Sequence, residues 1–108
     1  MNSQDYTADK EKIPVSIDKD LEDLIPGYIK NRYKDIESIN TAINTGDYET
    51  IRILGHSMKG SGGGYGFDEI TTIGMQIEKA AKETNTDDIK YWLEKLSHYL
   101  KHIDITYA

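Results

Sequence analysis

Apolar residues recur at spacings of three and four along most of this chain, and this repeat restricts the fold more than any other feature. Such spacing places the apolar side chains on one side of an α-helix. The repeat is interrupted at residues 45–47, 60–66 and 84–88, which are rich in Gly, Asp, Asn or Thr. Gly, Asp and Asn are typical of helix ends. The pattern predicts four long helices and no strand, with Asp68 as the cap of the third helix and Ile103 within the fourth.

Helices joined by short loops pack beside one another in opposite directions. The expected fold class is therefore all-α, an antiparallel up-and-down four-helix bundle over residues 13–108. Pro26 interrupts the first apolar run, which predicts a short N-terminal helix before the first long one. Ile13, Val15 and Ile17 form a short extended lead. Residues 1–12 are polar and without pattern, so we expect a disordered, mobile tail there.

Composition and charge exclude several classes of function. The 108 residues carry a formal net charge of -6, and nucleic acid or an anionic membrane surface requires a basic face instead. The chain has 0 Cys, which excludes a thiol nucleophile and a Cys-ligated zinc site. Its apolar runs are all far shorter than the ~20 residues of a membrane span. We expect a monomeric cytoplasmic protein.

The stretch "GHSMKGSGGGYG" combines an outward-facing histidine with a run of glycines. On a helical wheel His56 lies roughly 135° from the centre of the apolar side, so it faces solvent. Lys59, Gly60 and Gly63 follow three, four and seven positions later, on the same predicted face. Residues without side chains leave room for another molecule to approach the imidazole closely.

The third predicted helix carries a polar stripe beside its apolar one, and Glu78 belongs to it. If this stripe adjoins the His56 face, Glu78 can accept a hydrogen bond from one imidazole nitrogen and leave the other as a nucleophile. Lys59 and Lys82 can then stabilise an anion on that nitrogen. We expect Glu78 to lie on a flank outside the core. This combination suits the acceptance of a phosphoryl group.

The segment "HSMKGSGGGYGF", followed by "DEITTIGMQIE", resembles the histidine-containing phosphotransfer (HPt) domains of multistep two-component signalling. Their pattern is H-x-x-K-G, a small-residue tract, a Gly with a hydrophobic residue, and a helix ending in a hydrophobic residue and Glu or Gln. The resemblance implies that His56 is phosphorylated, that Lys59 neutralises the phosphate and that Gly60 gives access. It also implies that Glu78 bonds to the histidine and that Lys82 is the frequent basic residue. The tract "GSGGG" is richer in glycine than is usual in the family.

The resemblance further implies a phosphorelay intermediate. Such a domain accepts a phosphoryl group from the aspartyl phosphate of a receiver domain and passes it to another receiver. The implied partners are response-regulator receivers and a hybrid sensor kinase. The domain has no cofactor and no ATP-dependent kinase activity of its own, and the receiver supplies Mg²⁺.

Other interpretations of the sequence are weaker. A nucleotide-binding loop requires a preceding strand and a lysine after the glycines, whereas Lys59 precedes them. A flexible glycine linker and a passive helical-bundle adaptor without phosphotransfer remain as alternatives. Glu94, His98 and His102 repeat every four residues on one helix face and form a possible metal-ligand triplet. They lie off the apolar stripe, which favours a solvated polar face, so we expect no metal.

Overall fold

The computed structural model describes residues 11–108, which are mostly helical. This part of the chain contains four α-helices, as predicted: α1 (Ile25–Thr45), α2 (Tyr48–Ser61), α3 (Asp68–Lys82) and α4 (Thr86–His102). Two short 3-10 helices, Lys19–Leu24 and Gly63–Tyr65, precede α1 and follow α2. The antiparallel arrangement stays a prediction. So does most of the mobile tail, because residues 1–10 lie outside the described residues.

The entry into α1 explains the effect of Pro26. The Asp18 carboxylate accepts a 2.9 Å hydrogen bond from the backbone N–H of Asp20 and caps the 3-10 helix Lys19–Leu24. Pro26 then lies in the first turn of α1, where its missing N–H removes no helical hydrogen bond. The segment before Pro26 is therefore a tight 3-10 helix, and α1 continues unbroken after it.

Cap residues determine where the other helices begin and end. Gly46 ends α1 in the left-handed conformation, with φ of 70°, which costs a glycine little. The Asp47 carboxylate accepts a 3.1 Å hydrogen bond from the N–H of Thr50 at the start of α2. The prediction for Asp68 is wrong by one residue, because Phe67 is the N-cap of α3. Asp68 lies instead in the first turn. There its negative charge interacts favourably with the positive end of the helix dipole and stabilises α3.

The expectation of a chain without strands is also wrong. Strands β1 (Ile13–Ile17) and β2 (Ile103–Tyr107) pair in parallel, with Ile13 opposite Ile103. The helix α4 therefore ends at His102, and Ile103 belongs to β2. Parallel strands require a long crossover, which here is the whole helical region. A two-stranded ribbon alone is marginally stable, so its stability depends on the apolar side chains that it packs against the helices.

The core lies between the helices and is closed by the ribbon. Each fully buried aliphatic side chain contributes about 1.5–3 kcal/mol relative to exposure. The largest fully buried side chains come from every α-helix, from β1 and from the residue before α3, and they include Ile17, Ile39, Ile51, Met58, Phe67, Ile70, Ile77, Ile89 and Leu96. The most extensive helix–helix interface joins α2 to α3. These are the helices that carry His56 and Glu78.

Candidate functional site

Two glycines allow the backbones of α2 and α3 to touch. A Cβ atom on Gly55 would lie 2.7 Å from the backbone nitrogen of Glu78, and one on Gly74 would lie 2.5 Å from that of Lys59. Separations under 3.0 Å are shorter than those of real Cβ atoms. Any larger residue would therefore force the two helices apart. The close approach places the turn that carries His56 directly beside Glu78.

The imidazole of His56 and the carboxylate of Glu78 form the centre of the site. His56 Nδ1 lies 2.9 Å from Glu78 Oε2. The His56 side chain is 65% exposed, as the helical wheel predicts, whereas that of Glu78 is only 8% exposed. The expectation that Glu78 lies on a flank outside the core is therefore wrong. The contact between Gly55 and Gly74 brings α2 close enough to cover the carboxylate.

Two lysines complete the surroundings of Glu78. Lys59 Nζ lies 2.9 Å from Glu78 Oε1, and Lys82 Nζ lies 3.8 Å from Oε2. The pKa of Glu78 is lowered to about 2, and the hydrogen bond from Lys59 is the largest cause, larger than the opposing effect of burial. The hydrogen bond from His56 and the positive charges of both lysines act in the same direction. Glu78 is therefore ionised at neutral pH.

The ionised carboxylate determines the roles of the two imidazole nitrogens. A carboxylate without its proton can only accept hydrogen bonds, so His56 Nδ1 must be the donor. In the neutral ring, Nε2 then holds the lone pair. The exposed side chain of His56 thus presents Nε2 with a free lone pair, and the hydrogen bond from Nδ1 to the buried Glu78 carboxylate fixes the orientation of the ring.

The helix α2 ends within the glycine tract, so some of these glycines lie inside the helix and others after it. Gly60 lies in the last turn, and among the described residues nothing would come within 4 Å of a Cβ placed there. The helix ends at Ser61, which makes the prediction of one helical face reaching Gly63 wrong. Gly63 is exposed in the 3-10 helix, and its N–H donates a 2.8 Å hydrogen bond to Thr71 Oγ1. Of the two glycines expected to give access, only Gly60 lies on the helix of His56.

A buried polar cluster anchors the end of α2 and was not predicted from the sequence. Tyr28 Oη and Ser61 Oγ share a 2.9 Å hydrogen bond, and the Arg32 guanidinium lies 4.4 Å from the centre of the Tyr28 ring. Arg32 Nε also lies 2.9 Å from Asp35 Oδ2. The spacing of Tyr28 and Arg32, four apart on the buried side of α1, was the available signal. The cluster connects α1 to the last residue of the helix that carries His56.

The possible metal-ligand triplet of Glu94, His98 and His102 is not the group that the structure brings together. Within residues 11–108, the group whose ligand atoms lie within 4.8 Å of one another is Glu11, His98 and His102. Glu94 is not a member of this group. The two histidines are therefore neighbours, but the carboxylate beside them comes from the other end of the chain.

Four helices that present an exposed histidine, held by a buried carboxylate and flanked by lysines, define the class of histidine phosphotransfer modules. The family model of the Hpt domain matches residues 28–105, which is more than half of the chain. The chain therefore belongs to the Hpt domain family. The match begins in the first turn of α1 and extends into β2. No curated protein and no solved structure matches the chain.

Membership of this family establishes the general role of the protein. Hpt domains carry out phosphotransfer in two-component systems and have no kinase activity of their own. They interact with receiver domains and kinases in phosphorelays. Across residues 11–108, none of the helices combines the length and the apolar character that a membrane crossing requires.

Proposed function

We propose that His56 accepts a phosphoryl group from the aspartyl phosphate of one receiver domain and passes it to another. The observation that carries this proposal is the 2.9 Å contact of His56 Nδ1 with Glu78 Oε2 on a histidine that is otherwise exposed. It orients the ring, holds the proton on Nδ1 and leaves Nε2 free to react. A receiver donor agrees with the family's lack of kinase activity of its own.

The proposed reaction is an in-line displacement at phosphorus. The lone pair of His56 Nε2 forms an N–P bond while the P–O bond to the receiver aspartate breaks, and the carboxylate leaves with the electron pair. Because Nδ1 keeps its proton, the phosphorylated ring carries a positive charge that the Glu78 carboxylate offsets. Transfer to the second receiver reverses these steps. Catalysis depends mostly on positioning, and the Mg²⁺ in this reaction belongs to the receiver.

Lys59 and Lys82 are the phosphate-stabilising residues in this proposal. Both ammonium groups lie beside Glu78 before the reaction, within 4 Å of its oxygens. The lysine stems are flexible and partly exposed, so either ammonium can move toward phosphoryl oxygens that arrive at Nε2. The positive charges would then counter the negative charge that His56 acquires.

The surface around His56 fits a protein donor. Ile53 lies three residues before His56 in α2, and Met75 lies three residues before Glu78 in α3. These residues are 52% and 45% exposed, so each offers apolar surface to a partner. Residues three apart share a helix face, so both lie on the side of the reactive imidazole. With the open space at Gly60, they form the proposed docking surface for a receiver.

The proposal is tested by incubating the purified chain with a phosphorylated receiver and Mg²⁺. We expect phosphate on His56 that is labile in acid and stable in base, as a phosphoramidate is. The His56→Gln variant should remain unlabelled, whereas His98→Ala should label like the wild type. Addition of a second, unphosphorylated receiver should then remove the label. Binding of the receiver without any transfer would instead indicate a passive adaptor, and labelling that persists in His56→Gln would refute the assignment.

A further inference from the structure

A second cluster of ligand-type side chains lies at the far end of α4, where the two strands begin. His98 and His102 are separated by one helical turn, and their rings stack with centroids 4.1 Å apart. Glu11 Oε2 lies 3.9 Å from His98 Nε2 and 4.0 Å from His102 Nε2. Two histidines four residues apart on a helix can bind one metal ion from the same face.

The orientation of His102 is the one that a metal ligand needs. Its Nδ1 lies 2.7 Å from the backbone carbonyl oxygen of His98, which can only accept a hydrogen bond. The proton is therefore on Nδ1, and in the neutral ring Nε2 holds the lone pair, on the side of Glu11. Metal-binding histidines almost always donate the other ring N–H to a carbonyl or carboxylate in this way.

The distances from Glu11 Oε2 to the two Nε2 atoms are too long for hydrogen bonds. They are close to the distances between two ligand atoms that bind the same metal ion. Hydrogen bonds between nitrogen and oxygen span about 2.7–3.2 Å, so Glu11 is not hydrogen-bonded to either histidine. Ligands at about 2.0–2.2 Å from a tetrahedral ion lie roughly 3.4 Å from one another. Movement by about half an ångström would bring the Glu11 oxygen into that geometry. Glu11 and His98 are exposed, so their side chains are free to make this movement.

We propose that Glu11, His98 and His102 bind a divalent transition-metal ion, with zinc as the representative ion. Two imidazoles and one carboxylate are a donor set that suits Zn²⁺, and water can complete the tetrahedron. Glu11 lies two residues before β1, and His102 is the last residue of α4, directly before β2. The ion would therefore tie together the starting points of the two paired strands. This site has no residue in common with the His56 site.

The test is isothermal titration of the full-length, untagged chain with zinc chloride. We expect one zinc ion per chain. Even changes in the outer partners of a ligand weaken metal binding by about 10- to 100-fold, so losing a ligand should cost at least about tenfold. Glu11→Gln, His98→Ala and His102→Ala should each show such a loss. Glu94→Gln, one turn before His98, is the matched control and should bind like the wild type.

Hydrogen exchange provides a second measurement that does not depend on the titration. Zinc should slow the exchange of the β2 amides, Ile103–Tyr107, in the wild type and in Glu94→Gln but not in Glu11→Gln. Equal zinc affinity of Glu11→Gln and the wild type would overturn the proposal, as would an equal loss in Glu94→Gln. Phosphotransfer through His56 is expected to continue in Glu11→Gln, so the outcome is independent of the relay function.

Discussion

Replacing Gly55 or Gly74 by alanine tests whether the site depends on close contact between α2 and α3. The added Cβ atoms would lie 2.5–2.9 Å from atoms of the facing helix, among them the backbone nitrogens of Lys59 and Glu78. Backbone atoms cannot rotate away as side chains can. Ordinary contact begins at 3.4 Å and the closest contacts are 2.7 Å for Gly55 and 2.5 Å for Gly74, so the helices must separate by roughly 0.7–0.9 Å at this point.

The expected cost combines two opposing effects. Overpacking of a well-packed interface costs about 1–3 kcal/mol, and alanine in place of glycine stabilises a helix interior by about 1 kcal/mol. Because backbone atoms on both sides must move, we expect a net loss of about 1–2 kcal/mol for Gly55→Ala and for Gly74→Ala. Gly60→Ala, also in α2, is the matched control. In the described part of the chain nothing lies within 4 Å of its new Cβ, so it should gain about 0.5–1 kcal/mol.

The assay is urea unfolding of the three variants and the wild type, combined with the rate of phosphoryl transfer from a receiver. Gly55→Ala and Gly74→Ala should unfold at lower urea concentrations and transfer more slowly, because separation lengthens the His56–Glu78 hydrogen bond. Gly60→Ala should unfold at a higher concentration. If Gly55→Ala is as stable as Gly60→Ala, the close contact between α2 and α3 does not require glycine at position 55, which would refute this prediction.

Three further predictions concern the residues around His56. The folded-state pKa of Glu78 is about 2 against an ordinary value of 4.5, so its charge stabilises the fold above pH 4.5 and this contribution is lost as the pH falls toward 2. Urea unfolding between pH 4.5 and pH 2 should show that the free energy of unfolding falls more steeply with pH in the wild type than in Glu78→Gln. The same pH dependence in both proteins would contradict the ion pairs of Glu78 with the two lysines. Glu78→Ala should slow transfer from a receiver and lower stability by about 0.5–1.5 kcal/mol, because His56 and Lys59 lose a charged hydrogen-bond acceptor although their exposed groups can still bond to water, whereas Glu78→Gln should be milder. Equal transfer rates in both variants and the wild type would remove Glu78 from the mechanism. Gly60→Gln should block transfer from the receiver yet still be labelled by phosphoramidate, which needs little clearance. Transfer from the receiver at the wild-type rate would show that Gly60 does not provide access.

The helices could be predicted because their signals are local. The apolar repeat, Gly46 and Asp47 determine the helix boundaries within a few residues, and the same helical angle shows that His56 faces outward. The depth of Glu78 could not be predicted in this way. A helical wheel gives the direction of a side chain, whereas burial depends on how closely the next helix approaches. That distance is determined here by Gly55 and Gly74, which face each other across two helices.

The strands were missed because two patterns fit the same residues. Ile103 lies three positions after Leu100, which continues the helical repeat, yet it also begins the alternation Ile103, Ile105, Tyr107. The strand β2 is only five residues long, and its partner lies near the other end of the chain. Nothing local indicates that pairing. For the same reason, the sequence pattern alone could not place Glu11 beside the histidines of α4.

The site and the core of this protein depend on the same contact. A buried carboxylate destabilises a fold unless hydrogen-bond donors and positive charges surround it. His56 and Lys59 on α2 donate hydrogen bonds to Glu78, and the Lys82 ammonium on its own helix lies 3.8 Å away. The α2 donors reach Glu78 only because Gly55 and Gly74 let the helices meet. Separating the helices would lengthen these bonds, and it would also open the interface between apolar side chains. The orientation of the His56 imidazole is therefore a property of helix packing as much as of the residues that bond to it.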